Sequence, residues 1–425
     1  MDQKETIVVI GAGVIGLSTA LRIQKHLRHS QSILIVAKDF PNTTSLNYAS
    51  PWAGAHYRPV PESSAQFLKE ESQARRTYDH FKTLVAQDPS AGVQCIEGIE
   101  HLESPPPEYL DETSIHNAYS HVDGFQQLSP EECPSPVKWG ARYRTFIVNS
   151  PLYCAYMLRQ CIVKGGQIRE YTLVNVMEAF HLAGNVKTVV NCSGMGFGDP
   201  KSYIIRDGTW SFCIPRPLGG GTIIGGTKQP HNWDPNPSIE TRKQLLSNAA
   251  KWFPFTPESE GKFDVICDIV GRRPAREGGM RLEAEKVVGD RFIVHAYGAG
   301  GRGYELSWGV AEDVVLLMCK NGLTTYNFLG FFGGVNATTR RSLALLSNPD
   351  CFGTHINPHT YYTTRSEMRN IWHIHLGLLG VASSQQTNDC REETEMNDDK
   401  RQNVNVNRQS PQLRRSIQSE FGVRD

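Results

Sequence analysis

The hydrophobic pattern near the N-terminus changes period within a few residues. Thr6-Ile7-Val8-Val9-Ile10 is an apolar run of buried-strand length, and Gly11-Ala12-Gly13-Val14-Ile15-Gly16 follows at once. Leu17, Ala20, Leu21 and Ile23 then recur at helical spacing, and Ser32-Ile33-Leu34-Ile35-Val36 is a second apolar run. Strand, glycine turn, helix and strand make a βαβ unit. Residues 61–85 read as a helix, with Glu62-Ser63-Ser64 as cap and Phe67, Leu68, Ala74, Tyr78, Phe81 and Leu84 on one side. Pro105-Pro106-Pro107 and Pro134-Ser135-Pro136 punctuate what reads as an irregular region. A second amphipathic helix covers 152–163, with Tyr153, Tyr156, Met157 and Cys161 toward a core.

The rest of the pattern is strand, turn and loop. Lys187 to Asn191 is a strand running into Cys192-Ser193-Gly194-Met195-Gly196. Ile214 to Lys228 reads as a hairpin with a glycine-rich rim at Gly219-Gly220-Gly221. Asp268 to Arg276 sets Arg272, Arg273 and Arg276 beside a strand. Phe292 to Tyr297 is a strand entering Gly298-Ala299-Gly300-Gly301-Arg302-Gly303-Tyr304, with a helix over 307–318. Residues 324–425 lack convincing periodicity, and 383–425 have the polar composition of disorder.

Composition narrows the classes. The 425 residues carry 44 basic and 44 acidic side chains, so phosphate neutralisation on nucleic acid is not the driving interaction. A polybasic membrane-surface role is disfavoured for the same reason, and no run approaches the roughly 18 apolar residues of a spanning helix. The ten cysteines form no C-x-x-C pair, which fits a reducing, intracellular compartment. No ligand set for a metal is complete: His373-Ile374-His375 lacks a carboxylate or cysteine partner.

The chemistry starts at the first turn. Gly11 permits the tight bend, Gly13 lets backbone approach a pyrophosphate, and Gly16 lets helix and strand pack closely. The helix N-terminus, at Val14 and Ile15, presents free N–H groups and its dipole to the phosphates. Asp39 stands late for a ribose-binding acid and equally suits a turn; Lys38 suggests a 2′-phosphate. Gly194 and Gly196 would return to the same nucleotide if their strand joins the first βαβ unit. The arginine cluster suits an anionic substrate, because a guanidinium fork fits a carboxylate, or else surface salt bridges. His56 and His295 are expected to be structural.

Taken together, these segments resemble the D-amino-acid oxidase family of FAD-dependent oxidoreductases in its fungal form. The matching residues are Gly11 to Gly16, Ser50-Pro51-Trp52-Ala53-Gly54-Ala55, Asn191-Cys192-Ser193-Gly194, Ile214-Pro215-Arg216-Pro217, Val270-Gly271-Arg272-Arg273-Pro274, and His295-Ala296-Tyr297-Gly298 through Gly303-Tyr304. The resemblance implies an α/β fold: a Rossmann-like FAD-binding domain interleaved with an α+β substrate domain on a mixed sheet. The oxidase unit would span 1–323, with FAD-binding segments at about 6–60, 150–200 and 290–323 and substrate segments at about 61–149 and 201–289. Residues 324–425 would be a divergent extension.

The same resemblance implies a site. Arg273 falls at the substrate-carboxylate arginine, and Phe212 where related enzymes often carry a tyrosine. Lys228 falls near a position that varies with side-chain specificity and is basic in D-aspartate oxidases. The Gly301 carbonyl would accept from the substrate amine. Gly11, Gly13, Val14, Ile15, Gly16, Asp39, Ser50, Ala53, Gly54, Gly194, Gly300, Gly303 and Tyr304 would hold FAD. The implied reaction oxidises the Cα–N bond of a D-amino acid by hydride transfer to the flavin, giving a 2-oxo acid, ammonia and, with oxygen, hydrogen peroxide. No histidine base is required.

Partners would then be a small D-amino acid and oxygen, without nucleic acid or membrane; a homodimer is admissible. The chain departs from the family in two places, at one internal junction and near Leu323, where the match ends. Relatives carry a strand and hairpin where Arg206 here runs directly into Asp207. The last residues, Val423-Arg424-Asp425, are not the S-K-L peroxisomal address common in the family, which sets a cytoplasmic location against a peroxisomal one. The competing expectations are a D-aspartate oxidase, an oxidase fold inactivated by the missing strand, and an NAD(P)-dependent dehydrogenase, against which the segments after residue 190 argue.

Overall fold

The apolar run at the N-terminus is β1 (Glu5–Ile10), in which Ile7, Val8 and Val9 are fully buried. The computed structural model describes residues 4–62, 64–198, 202–203, 209–227, 229, 232–253 and 263–325. Lys228, the Arg206-Asp207 junction, His373-Ile374-His375 and residues 326–425 lie outside them. The glycine turn feeds α1 (Val14–Gln24), and β2 (Gln31–Ala37) returns parallel to β1, with Ile7 opposite Ile33. Two glycines make this geometry. Gly11 has φ +100°, and a Cβ there would run into the Cys192 carbonyl. A Cβ on Gly16 would strike the Gly11 carbonyl oxygen, so only glycine lets the helix lie on the turn.

The next elements are α2 (Ala65–Gln87), β3 (Val93–Leu102), α3 (Glu112–Tyr119), β4 (Gln126–Gln127) and β5 (Trp139–Val148). The cap of α2 is Ser64, whose hydroxyl accepts from the Phe67 N–H at 3.3 Å. The stretch read as irregular therefore contains a three-stranded antiparallel sheet, ordered β3-β5-β4. Then follow α4 (Ser150–Val163), β6 (Gln167–Glu170), β7 (Thr188–Asn191), β8 (Ser202–Tyr203), β9 (Thr209–Pro215) and β10 (Thr222–Thr227). On α4, Tyr153, Met157 and Cys161 are fully buried, as their spacing predicts. The chain continues through α5 (Ile239–Trp252), β11 (Ala275–Arg276), β12 (Arg281–Lys286), β13 (Phe292–Tyr297) and α6 (Gly303–Lys320), which begins at Gly303 rather than Ser307.

The main sheet has six strands in the order β12-β13-β7-β1-β2-β6, parallel except for the edge strand β12. Segments far apart in sequence thus share one sheet. Ile10 and His295 both pair with Asn191, so the turns after β1, β7 and β13 lie side by side at one edge. In such sheets the crevice beyond the carboxyl ends of the strands is the ligand site. Outside this sheet the described ladders are antiparallel: β3-β5-β4, the β9/β10 hairpin, and β8 against β11. Helices α1 and α6 pack closely, with the Ser18 hydroxyl donating to the Ser307 carbonyl at 3.1 Å. Beyond α6 the chain stays anchored: the Leu323 carbonyl accepts from Gln31 Nε2 at 2.7 Å, and the Thr324 hydroxyl donates to the His26 carbonyl at 2.7 Å.

Candidate active site

A continuous cleft of about 2550 Å³ opens beyond the ends of β1, β7 and β13, and reaches across β3, β5 and the β9/β10 hairpin. That exceeds the roughly 300–1,000 Å³ of a single small-molecule pocket, so it has room for an extended cofactor and a substrate together. Gly11, Gly13, Val14, Ile15, Asp39, Ser50, Ala53, Gly54, Gly194, Gly300, Gly301, Gly303 and Tyr304 all line it, with Phe212 and Arg273. Gly16 is not among these lining residues; it packs α1 onto the Gly11 carbonyl.

Two helix N-termini open on the cleft. The N-cap of α1 is Gly13, which offers no side chain to the first-turn N–H groups; Arg302 at the start of α6 makes no side-chain cap either. A Cβ on Gly303 would stand 3.5 Å from Val14 Cγ1, so the two starts adjoin. Ser50 Oγ accepts from the Val14 N–H at 2.9 Å, and a Cβ on Gly13 would come within 2.9 Å of that oxygen. Helix starts whose own N-cap residues give no side-chain cap, beside open glycine backbone, suit a pyrophosphate, and the residues present fit a dinucleotide such as FAD.

The turn at Ser50 to Ala53 is clamped from three sides. Arg216 Nη2 donates to the Pro51 and Ala53 carbonyls at 2.8 and 2.9 Å. Ser150 Oγ donates to the Ala53 carbonyl at 2.7 Å, and the Tyr304 hydroxyl reaches the Ser50 carbonyl at 2.9 Å. Tyr304 therefore stands on the wall with its hydroxyl turned into the protein. Gly54 abuts the hairpin: a Cβ there would lie 2.8 Å from Ile214 Cδ1 and 3.2 Å from Phe212 Cε2. The Phe212 ring fills the space over Gly225 and Gly226, where a Cβ would collide with it.

The arginine segment departs from expectation in form. Residues 263–274 make no strand, and only Ala275 and Arg276 pair, with Tyr203 and Ser202. Strand alternation thus does not separate Arg272 from Arg273. Arg272 is diverted by its own bonds, Nη1 to Asn47 Oδ1 at 2.7 Å and Nη2 to the Trp233 carbonyl at 2.8 Å. Burial lowers the pKa of Arg273. The Gly300 N–H donates to the Pro274 carbonyl at 2.7 Å, which ties the late glycine loop to this segment.

His295 is a buried structural group held by Asn191 Nδ2 at 3.3 Å and Glu285 Oε2 at 3.1 Å. His56 lines the cleft, and burial, then the neighbouring Arg58 guanidinium, lowers its pKa to about 4. Sequence reasoning passed over Arg58, Glu100 and Tyr143, which also line the cleft. Alternation of His56 and Arg58 about buried Tyr57 was the available signal. Among the described residues no group of three His, Cys, Asp or Glu could hold a metal.

The family model described as FAD dependent oxidoreductase matches residues 6–203 and 197–317. A D-aspartate oxidase of Talaromyces thermophilus is 41% identical over 350 residues, covering 73% of this chain and 94% of that protein. A D-amino-acid oxidase of Schizosaccharomyces pombe is 32% identical, covering 74% and 97%. The solved structure of glycine oxidase from Geobacillus kaustophilus shares the fold, with TM-score 0.55 and 18% identity over 74% of this chain and 95% of that one. The cleft with its two helix starts, and a match covering most of the chain, lead to one assignment: the chain belongs to the D-amino-acid oxidase family of FAD-dependent oxidoreductases and is an FAD-dependent amino-acid oxidase.

Proposed function

We propose that this chain oxidises the Cα–N bond of D-amino acids, with Arg273 holding the substrate α-carboxylate. The observation that carries the reading is the setting of Arg273, a partly buried guanidinium on the cleft wall beside Gly301. Bound FAD supplies the two-electron acceptor. The protein's part is placement. A guanidinium offers forked donors to a carboxylate and fixes its plane as well as its position. The Gly301 carbonyl is the proposed acceptor for the substrate amine, which orients Cα once the carboxylate is anchored. Phe212 has no hydroxyl, so it gives an apolar wall, and the carboxylate depends the more on Arg273. His56, neutral above pH about 4, adds a hydrogen-bonding group without charge at neutral pH.

A second reading is a preference for D-aspartate. It is favoured by the 41% identical relative, which bears the name D-aspartate oxidase. The expected basic residue for that preference, Lys228, lies outside the described residues. The third expectation, an inactive fold, gains one point of support: the family match breaks into two pieces that meet at residues 197–203, close to the proposed missing strand. Peroxide release by the full-length, FAD-loaded protein decides among them. We expect turnover of D-alanine and D-aspartate and none of L-aspartate. A flavin-loaded protein that oxidises neither D-amino acid overturns the proposal in favour of the inactive fold.

A further inference from the structure

The cleft contains an ion pair that the proposed reaction does not use. Residues 55–57 run beside β5: the Tyr57 N–H donates to the Phe146 carbonyl at 2.9 Å, and His56 bridges Ile147. Tyr57 is turned into the core, so His56 and Arg58 share the face toward the cleft. Arg58 Nη1 donates to Glu100 Oε1 at 2.9 Å. Glu100 is 8% exposed and accepts three phenolic hydroxyls as well: Tyr119 at 3.1 Å, Tyr109 at 3.4 Å and Tyr143 at 3.4 Å. Burial first, and the Glu100 carboxylate next, raise the pKa of all three phenols, so they remain donors.

The two members of the pair are unequally placed. Both Glu100 oxygens are engaged within the protein, whereas the Arg58 side chain is 37% exposed to the cleft and uses one nitrogen on Glu100. Other cleft arginines are committed elsewhere. Arg242 grips Asp268 with Nε and Nη2, Arg302 is forked between Glu70 and Glu305, and Arg216 clamps the Pro51 and Ala53 carbonyls. Three tyrosines share the charge of Glu100, Tyr109 on the oxygen that Arg58 uses and Tyr119 and Tyr143 on the other, so Arg58 is held as a fixed cation on the cleft wall with donors to offer.

We infer that Arg58, oriented by Glu100 and its tyrosines, is the side-chain subsite of this oxidase and binds the second carboxylate of an acidic D-amino acid. The inference rests on the reading of the chain as a D-amino-acid oxidase and adds a residue for its choice of substrate. Glu100 is a positioning residue: it fixes the guanidinium and does not touch substrate.

The test uses the full-length, FAD-loaded protein. Replacing Arg58 alone leaves a buried carboxylate unpaired, so Arg58→Met is combined with Glu100→Gln, and Arg58→Lys keeps the charge without the fork. Two readouts are taken: the kcat/KM ratio of D-aspartate to D-alanine, and the change in flavin absorbance on titration with malonate or acetate. We expect the ratio to fall at least about tenfold in the double variant, with Arg58→Lys between it and wild type. Malonate should weaken by a similar factor while acetate does not. A ratio and a malonate affinity both unchanged within about twofold overturn the subsite. Wild-type protein that oxidises no D-amino acid overturns the functional reading instead, and the malonate titration then decides Arg58 alone.

Discussion

A Cβ built on Gly301 would stand 3.7 Å from Cδ of Arg273, so the backbone of the late glycine loop runs alongside the stem of this arginine. The group proposed to anchor a carboxylate and the carbonyl proposed to receive an amine therefore neighbour each other across the same wall. Each charge-assisted hydrogen bond contributes about 1.5–3 kcal/mol. Arg273→Ala should lower kcat/KM for D-amino acids at least about 100-fold, and Arg273→Lys should act mainly through KM. Neither should release FAD, because the α1 turn is distant in sequence and built from backbone. Arg272→Ala is the control: its guanidinium is engaged by Asn47 and Trp233. Loss of turnover in Arg272→Ala with retention in Arg273→Ala would reverse the assignment.

The α1 turn carries the second prediction. Val14 N–H is bonded to Ser50 Oγ, and a Cβ on Gly13 would press on that oxygen at 2.9 Å. Gly13→Val must therefore push Ser50 aside and also fill the approach to the helix start. We expect the ratio of bound flavin to protein to fall severely, read from absorbance, while far-UV circular dichroism stays close to wild type. An unchanged ratio would mean that the phosphates bind elsewhere.

What could be read from the sequence follows a physical divide. The turn at Gly11 to Gly16 was legible because local geometry forces each glycine, and the strand at 292–297 because its apolar run is unbroken. The sheet of β3 and β5 was not. Glu100 sets a carboxylate at a buried position between exposed Ile99 and His101, and that burial makes sense only once tyrosines from 109, 119 and 143 converge on it. Nor could the sequence separate Arg272 from Arg273: the diversion of Arg272 comes from Asn47 and Trp233, contacts that no local pattern encodes.

Close packing of two helices gives a stability prediction. Gly309 in α6 lies against the α2 backbone: a Cβ there would stand 2.6 Å from the Gln73 carbonyl carbon. Thr77 Oγ1 accepts from the N–H groups of Trp308 and Gly309, each at 3.1 Å, at the same crossing. Alanine has the better intrinsic helix propensity by about 1 kcal/mol, yet here overpacking against backbone should dominate. Gly309→Ala should destabilise by about 1–3 kcal/mol in urea unfolding. Stabilisation by Ala would mean that α2 and α6 separate without cost.

The pH dependence of stability should carry the mark of His80. Its ring stacks on Trp308 with centroids 3.6 Å apart, and its Nε2 is buried without a hydrogen-bond partner. Burial first, then Lys25 and Arg22, lowers its pKa to about 3. The unfolded chain binds a proton at His80 below the ordinary histidine pKa near 6.5, and the folded chain does not until about pH 3. The contribution of the neutral imidazole is thus complete above pH 6.5 and is lost as pH falls toward 3, with a slope of at most about 1.4 kcal/mol per pH unit. His26 and His121, each lowered to about 4, act in the same direction. His80→Phe retains an aromatic ring against Trp308 and removes the titration. Thermal unfolding of wild type and His80→Phe between pH 7 and pH 4 should show Tm curves that converge or cross on acidification, the variant losing less. Parallel curves over that range would mean that His80 is protonated in the folded protein with an ordinary pKa, and that the Trp308 stack tolerates an imidazolium.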